Sequence, residues 1–336
     1  MFGWAELKKK IEVEGDTIIC PIIGCKNQVR KMTKSVPKSL DAYLGKGEDD
    51  REKFDQYLCK EHKIYITPTT FIYEDLRDNL LWYDADKDLL DEIMKVKRVK
   101  AQLHHDASED AVTWNVFRFL ERNKLLSGFL EGLHNSLVKS PEVIYWSYSQ
   151  SQQKVWNELE KARAKFGESP QRSSEPDLVV KSNDILFFIE TKLTAPNKID
   201  FNKNHTAEDR AERVRRYSKG DYFLNQPVEN IMDAGYYQLM RFWLIGALIA
   251  DNENLNFYLL NLVRKNEEKD IESEFGKYIK QNEKREFMKV TWEDIYKYIS
   301  NTDLLGEEKD KMSGYFRNKT IGYNGNEELQ KAFSIP

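Results

Sequence analysis

The sequence lacks any apolar stretch long enough to span a bilayer. Its longest apolar run extends from Phe242 to Ala250, whereas a transmembrane helix needs about 20 consecutive apolar residues. The chain also lacks the basic and then apolar start of a secretory signal peptide. It contains no internal repeat and no long low-complexity segment. We therefore expect a globular protein that is cytoplasmic and does not associate with membranes.

The chain has little cysteine and little excess charge of either sign. Only three cysteines occur among 336 residues, and an odd count argues against a complete disulfide framework. A formal net charge of −4 argues against a protein that coats nucleic acid nonspecifically, although local phosphate contacts stay compatible with it. The length allows two domains, or one elaborated domain, with a substantial core.

Two consecutive apolar segments carry charged residues at adjoining ends. Asp177 precedes the first segment, while Glu190 and Lys192 lie at the end of the second. Residues two apart on a strand share a face, so Glu190 and Lys192 project together, and a hairpin can bring Asp177 alongside them. Two carboxylates can hold Mg²⁺, and a neighbouring lysine can assist a metal-activated water. The alternative is an ordinary hairpin with exposed charges, which an otherwise almost wholly apolar second strand disfavours.

The motif formed by Pro176, Asp177, Glu190, Thr191 and Lys192 resembles that of the PD-(D/E)XK nuclease superfamily. The resemblance implies the restriction-endonuclease-like fold and cleavage of phosphodiester bonds. It also implies that Asp177, Glu190 and the backbone carbonyl of Thr191 bind Mg²⁺ or Mn²⁺. Lys192 would then assist the nucleophilic water.

The resemblance further implies two accessory residues. Many members of the superfamily add an acid from the helix before the first core strand. Glu109 is our candidate because it shares a helix face with Val112 and Val116, with Glu121 as a second choice; the alternative for Glu109 is a first-turn acid that complements the helix dipole. Related nucleases carry a glutamine on the helix after the motif strand, and Gln238 matches that placement. The alternative for Gln238 is a polar residue at the edge of a buried helix.

All three cysteines fall within the first sixty residues, and a histidine follows the last of them. Together they form a Cys₃His set, a composition typical of closed structural zinc sites, which consists of Cys20, Cys25, Cys59 and His62. Gly24 lets the backbone turn tightly enough for two thiolates to reach one ion. The alternative is three ordinary thiols and a surface histidine. The set predicts a structural Zn²⁺ ion.

The pattern of apolar residues predicts an α/β protein, and the resemblance implies a restriction-endonuclease-like core in which helices flank a mixed central sheet. A small zinc-binding module, with a possible role in recognition, would occupy residues 1–95, and the nuclease domain would occupy residues 96–336. The predicted core elements follow the order helix, three strands, helix and strand. They are a helix over about 107–137, a strand over 142–148, a polar helical segment over 150–166, strands over 177–182 and 185–193, a helix over 229–250, a strand over 255–263 and helices near 268–281 and 291–300.

Two basic clusters could contact phosphate groups. They consist of Lys95, Lys97, Arg98 and Lys100, and of Arg210, Arg213, Arg215, Arg216 and Lys219. Acidic residues are interspersed in the second cluster, so a solvated charged helix is the alternative.

The function expected from these patterns is a Mg²⁺-dependent DNA endonuclease of restriction or antiphage type. One alternative is a repair or recombination nuclease that acts on DNA ends or junctions. Another is a zinc-bearing nucleic-acid-binding subunit without catalytic activity. A homodimer is possible, because a double-strand cutter needs two active sites.

Overall fold

The structure is a computed structural model with two compact units. It describes residues 1–33, 36–44, 51–98, 101–134, 137–169, 173, 175–203, 205–304 and 306–336, with only the backbone at 38, 41, 42, 51 and 202. The first unit comprises Met1–Lys87, Ala101–Phe119 and Tyr296–Pro336, and the second comprises Asp88–Lys100 and Leu120–Ile295. The two units reflect contacts between residues and not their function. The boundary near residue 95, between a zinc-binding module and a nuclease domain, therefore stays a prediction.

The described residues form helices and strands in a mixed order. The helices are α1 (Val36–Leu44), α2 (Arg51–Phe54), α3 (Tyr83–Val96), α4 (Glu109–Arg122), α5 (Leu126–His134), α6 (Asn157–Phe166), α7 (Ala207–Tyr217), α8 (Val228–Asp233), α9 (Tyr237–Glu253), α10 (Ile271–Gly276), α11 (Trp292–Asn301) and α12 (Glu307–Asn318). The strands are β1 (Val13–Glu14), β2 (Thr17–Ile19), β3 (Gln28–Arg30), β4 (Leu58–Cys59), β5 (Ile64–Ile66), β6 (Phe71–Tyr73), β7 (Glu142–Tyr145), β8 (Tyr148–Ser149), β9 (Lys154–Val155), β10 (Leu178–Lys181), β11 (Ile185–Thr191), β12 (Asn256–Val263), β13 (Arg285–Thr291), β14 (Thr320–Tyr323) and β15 (Leu329–Lys331).

The second unit is built on a seven-stranded mixed sheet, in the order β13-β12-β11-β10-β7-β8-β9. Strands β10 and β11 form an antiparallel hairpin, whereas β11, β12 and β13 run parallel. Every residue of β11 is buried, as expected for a central strand that is covered on both faces. This mixed sheet, flanked by helices, confirms the predicted fold class.

The first unit contains small sheets and the cysteine-rich segment. Two of its sheets are three-stranded, β1-β2-β3 and β4-β5-β6, and β14 pairs with β15. The end of the chain packs on its beginning, since Leu329 N–H donates to the Lys9 carbonyl at 2.9 Å and the Tyr323 hydroxyl donates to the Lys8 carbonyl at 3.0 Å. C-terminal residues therefore complete the core around Ile18.

Five features of the predicted core order need correction. The strand predicted over 142–148 is two strands, β7 and β8, because Trp146 and Ser147 have φ of 43° and 77°. The helical segment predicted over 150–166 begins only at Asn157 and is preceded by strand β9. The helix predicted over 107–137 is two helices, α4 and α5, because Lys124 adopts a left-handed conformation with φ of 56°. The helix predicted over 229–250 is α8 followed by α9, separated at Gly235, whose φ is 89°. The edge strand β13 was not predicted, because charged residues occupy its exposed positions.

No helix among the residues that the structure describes combines the length and the apolar character that crossing a membrane requires.

Candidate functional site

The hairpin of β10 and β11 positions the two motif carboxylates. Its register pairs Leu178 with Ile189, so the next pair toward the open end of the hairpin is Asp177 with Glu190. Directly opposed residues of an antiparallel pair have neighbouring side chains. The register therefore brings the two acids to the same end of the hairpin.

Strand alternation indicates which face of the sheet they occupy. Val179 of β10 and Phe188 of β11 belong to the apolar core that includes α9. Residues two apart on a strand project from the same face, so Glu190 shares the face of Phe188. Asp177 directly precedes β10, and we expect it to share the face of Val179. Lys192, one residue beyond β11, continues the same alternation.

One oxygen of the Asp177 carboxylate is held by the neighbouring strand. Asp177 Oδ2 accepts hydrogen bonds from the backbone N–H of Thr191 at 2.8 Å and from its hydroxyl at 2.9 Å. In the described part of the chain, Oδ1 accepts no hydrogen bond, and the residue is half-buried. The carboxylate is thus oriented by one oxygen while the other stays open to a ligand.

Glu190 and Lys192 form a buried ion pair that a third side chain joins. Glu190 is 1% exposed and Lys192 is 9% exposed, and Lys192 Nζ pairs with Glu190 Oε1. Gln238 Nε2 donates to the same oxygen at 2.6 Å. Burying a carboxylate away from water is costly unless it is paired and hydrogen-bonded, and Oε1 of Glu190 meets both conditions. Gln238 thus lies where the sequence placed it, while its catalytic role stays a prediction.

The backbone around Lys192 is held by residues that sequence reasoning missed. Lys192 N–H donates to the Leu262 carbonyl at 2.8 Å, and its own carbonyl accepts a hydrogen bond from Trp292 Nε1 at 3.1 Å. Arg264 Nε donates to the Leu193 carbonyl at 2.6 Å. These contacts fix the backbone on which the lysine side chain is mounted. A buried tryptophan needs a partner for its N–H, but no sequence pattern says which carbonyl will supply it.

A buried amide and carboxylate network lies on the neighbouring strand. Asn261 of β12 pairs in register with Glu190 and is fully buried. Its side-chain oxygen accepts from Asn197 Nδ2 at 2.8 Å, and its Nδ2 donates to Glu268 Oε2 at 2.7 Å. A polar residue in an otherwise apolar strand was the available signal for Asn261. Asn197 and Glu268 lie in connecting segments and gave none.

The donor set at the hairpin suits a hard divalent cation. Asp177 and Glu190 supply carboxylate oxygens, and the carbonyl of Thr191 lies between Glu190 and Lys192 in the chain. Mg²⁺ takes oxygen ligands and usually keeps several waters, so it is commonly held by one or two protein carboxylates. The residues therefore fit Mg²⁺ or Mn²⁺.

Both helix acids proposed from the sequence, Glu109 and Glu121, lie on α4. Glu109 is the first residue of α4 and belongs to the first unit, whereas the motif residues belong to the second, so its metal-binding role stays a prediction. Glu121 accepts hydrogen bonds from the Tyr145 hydroxyl and from Gln150 Nε2, both at 2.9 Å. Tyr145 pairs with Leu178, and the role of Glu121 as the second choice stays a prediction.

The predicted zinc ligands converge within the first unit. The ligand atoms of Cys20, Cys25, Cys59 and His62 all lie within 4.8 Å of one another. Cys20 follows β2 and Cys59 ends β4, while Gly24, with φ of 85°, makes the turn that returns Cys25 to the group. This Cys₃His group could hold a zinc ion, because its composition matches closed tetrahedral zinc sites.

The three thiols differ in acidity. Burial raises the pKa of Cys20 and of Cys25. Burial acts in the same direction on Cys59, but hydrogen bonds from the Asn27 amide and from His62 outweigh it and lower the pKa of Cys59 to about 7. Because zinc binds the thiolate, these hydrogen bonds favour the form of Cys59 that binds the ion.

The fold and the site define a class of protein: a restriction-endonuclease-like α/β chain with a Cys₃His group near its N-terminus. Within this class, the chain belongs to the family described as restriction endonuclease associating with ARP, whose model matches residues 44–319. Membership of this family indicates a restriction-type nuclease role. No curated protein matches the chain, and no solved structure does.

Proposed function

We propose that the protein is a Mg²⁺-dependent DNA endonuclease of PD-(D/E)XK type that restricts foreign DNA. The observation that carries the proposal is the buried pair of Glu190 and Lys192, aligned by hairpin register with the anchored carboxylate of Asp177. An ordinary structural hairpin has no need to bury an ion pair at the cost of desolvating both charges. Family membership supports the same reading.

Each side chain has a distinct task in this proposal. Asp177 and Glu190 would hold the metal ion together with the carbonyl of Thr191, and the ion would activate a water and offset charge at phosphorus. Lys192 would hydrogen-bond the attacking water and stabilise the charge that develops in the transition state. Gln238 would orient Glu190, because its amide donates to Glu190 Oε1 at 2.6 Å.

The Cys₃His group would serve the same protein as a structural zinc site. A zinc ion there would join the segment after β2 to the end of β4. Both strands are short, so the ion would stabilise a region with few strand hydrogen bonds. We propose that the surrounding module contributes to DNA recognition and that the protein acts in the cytoplasm, with a homodimer supplying two active sites for double-strand cleavage. The family description also names an association with ARP, which we extend to this chain as a proposal.

A plasmid cleavage assay tests the proposal. The full chain is incubated with supercoiled DNA in Mg²⁺, in Mn²⁺ and without added divalent metal. Asp177→Ala and Lys192→Ala should abolish metal-dependent cleavage, because each removes a member of the catalytic group. Circular dichroism of the variants checks that they remain folded.

Two substitutions on the same hairpin provide matched controls. Asp184 is an exposed aspartate in the turn at the other end of the hairpin, and Lys181 is a partly exposed lysine at the end of β10. Asp184→Ala and Lys181→Ala should cleave like the wild type. Equal cleavage by all four variants would refute the assignment. Linear DNA serves as a second substrate, and cleavage of linear but not supercoiled DNA would indicate a nuclease that acts on ends in place of an endonuclease.

A further inference from the structure

A cleft beside Gln238 contains two arginines that both lie close to one aromatic ring. The cleft has a volume of about 270 Å³ and lies within the second unit. Gln238 lines it and also contacts Glu190, so the cleft adjoins the proposed catalytic group. Its ionised side chains include Arg213, Arg241 and Asp200.

Aromatic rings hold Arg213 in the cleft. Its guanidinium carbon lies 5.6 Å from the ring centroids of both Phe201 and Tyr237, and its Nη1 donates to the Tyr237 hydroxyl at 3.2 Å. Its Nε is buried and donates to no described residue. These cation–π contacts favour the position of the guanidinium, but the phenol supplies a partner for only one of its donors.

Arg213 also has no carboxylate partner at ion-pair distance among the described residues. Asp209, one helical turn earlier on α7, feels its charge, but the Asp209 carboxylate is engaged with Thr206 in the N-terminal capping box. Arg241 differs, because its Nη2 lies 3.7 Å from Glu168 and its Nε donates to the Tyr217 hydroxyl at 2.9 Å. Within the described part of the chain, no carboxylate at ion-pair distance therefore neutralises the half-buried charge of Arg213.

Its neighbours on α7 do not share this situation. Arg210 pairs with Asp233 at 2.7 Å, and Arg216 pairs with Glu212. Arg215 is exposed to solvent. The sequence did not distinguish a phosphate contact from a solvated helix for this basic cluster. In the structure, Arg213 differs from Arg210, Arg215 and Arg216 because its half-buried side chain lines the cleft.

We propose that Arg213 binds a phosphate group of the DNA substrate, next to the phosphodiester that is cleaved. The proposal rests on the function proposed above and specifies how the substrate strand is held at that site. A guanidinium offers a planar fork of donors that matches phosphate oxygens. Arg241, whose guanidinium carbon lies 5.1 Å from the ring centroid of Tyr237, adds positive potential. The phosphate could be internal or at a 5′ end.

DNA binding by charge-matched variants tests this assignment. Binding of a fluorescent DNA duplex to the full chain is measured at several salt concentrations without added Mg²⁺, so that cleavage does not interfere and zinc is retained. Arg213→Ala should raise Kd roughly tenfold at low salt and reduce the slope of log K against log salt by about one. Arg213→Lys, which keeps the charge and replaces the fork, should keep most of the slope.

Arg215→Ala removes an equal charge from the same helix and should leave affinity and slope close to those of the wild type. An Arg213→Ala protein that matches the Arg215→Ala protein in both quantities would overturn the assignment. This result would leave the nuclease proposal standing, since that proposal is judged by cleavage and this one by binding.

Comparing circular DNA with linear DNA that carries or lacks a 5′-phosphate distinguishes an internal phosphate from a terminal one. Equal loss on all three indicates an internal phosphate, and loss confined to 5′-phosphorylated ends indicates a terminal one.

Discussion

At the scale of single residues, the buried pair of Glu190 and Lys192 is the least expected feature of the sheet core. Both side chains lose water on folding, and each is tolerated there because the other is present. Gln238 adds a hydrogen bond but no charge. The stability of this region should therefore depend on the balance of charges more than on either residue alone.

Replacing both members of this pair by uncharged residues should destabilise the protein less than replacing Lys192 alone. Lys192→Met alone leaves a buried carboxylate unpaired and should lower the free energy of unfolding by about 3 kcal/mol, as breaking buried pairs does. Combining it with Glu190→Gln should recover most of that loss, because no charge is then buried. Urea denaturation of both proteins measures the difference, and a double variant that is less stable than the single one would contradict the account.

Sequence reasoning identified the charged residues of the site because they interrupt apolar strands. Asp177, Glu190 and Lys192 stand out against Ile185–Leu193 and the strand before it. Trp292 could not be found in this way, because its contact with the Lys192 carbonyl joins residues 100 positions apart. Such partners are decided by tertiary packing, which single-sequence periodicity does not contain.

At the scale of elements, the approach of α9 to β12 depends on the absence of one side chain. A Cβ atom at Gly246 would lie 2.2 Å from atoms of the Phe257 ring, and both elements belong to the main core of the second unit. Glycine weakens a helix by about 1 kcal/mol relative to alanine, so this position retains it for the sake of packing.

Gly246→Ala should destabilise the protein by about 1–3 kcal/mol, because overpacking outweighs the gain in helix propensity. Gly314 in α12 is the matched control, since a Cβ atom there meets no other atom within 4 Å. Gly314→Ala should stabilise the protein by about 0.5–1 kcal/mol. Thermal unfolding of the two variants checks the opposite signs, and a stabilising change at Gly246 would show that the helix and strand pack less closely than described.

Element type was more predictable than element boundaries. The long apolar segments of β11, β12 and α9 were identified because their composition is nearly continuous. The break at Gly235 and the break at Lys124 were missed, since a glycine or lysine in left-handed conformation leaves the surrounding helical pattern almost unchanged. Strand β13 was missed for a related reason: it lies at the edge of the sheet, and its exposed charged residues dilute the apolar signal.

At the scale of the whole molecule, the first unit gathers residues from both ends and from the middle of the chain. Linear reading could place a zinc module near the N-terminus but could not show that β14 and β15 join the same unit. Sequence patterns do not indicate contacts between residues that lie far apart in the chain. Here the intervening residues form a separate core. C-terminal residues therefore share the core of this unit with the cysteine-rich segment.

Zinc should stabilise this unit. Metal analysis of the purified chain should give about one zinc per molecule, and Cys59→Ala should remove it. A chelator should lower the Tm of the wild type and leave that of the Cys59→Ala protein unchanged, because only the wild type has bound metal to lose. A wild-type protein that contains no zinc would reassign the four side chains to ordinary packing.

The position of a divalent ion tests the central claim most directly. Crystals of the full chain are soaked in Mn²⁺, and an anomalous difference map locates the ion. The account predicts a peak coordinated by the carboxylates of Asp177 and Glu190, with the ammonium group of Lys192 nearby. This peak would be distinct from any metal bound by the Cys₃His group. A map in which the ion binds elsewhere, with the Asp177 carboxylate on the sheet face opposite Glu190, would contradict it.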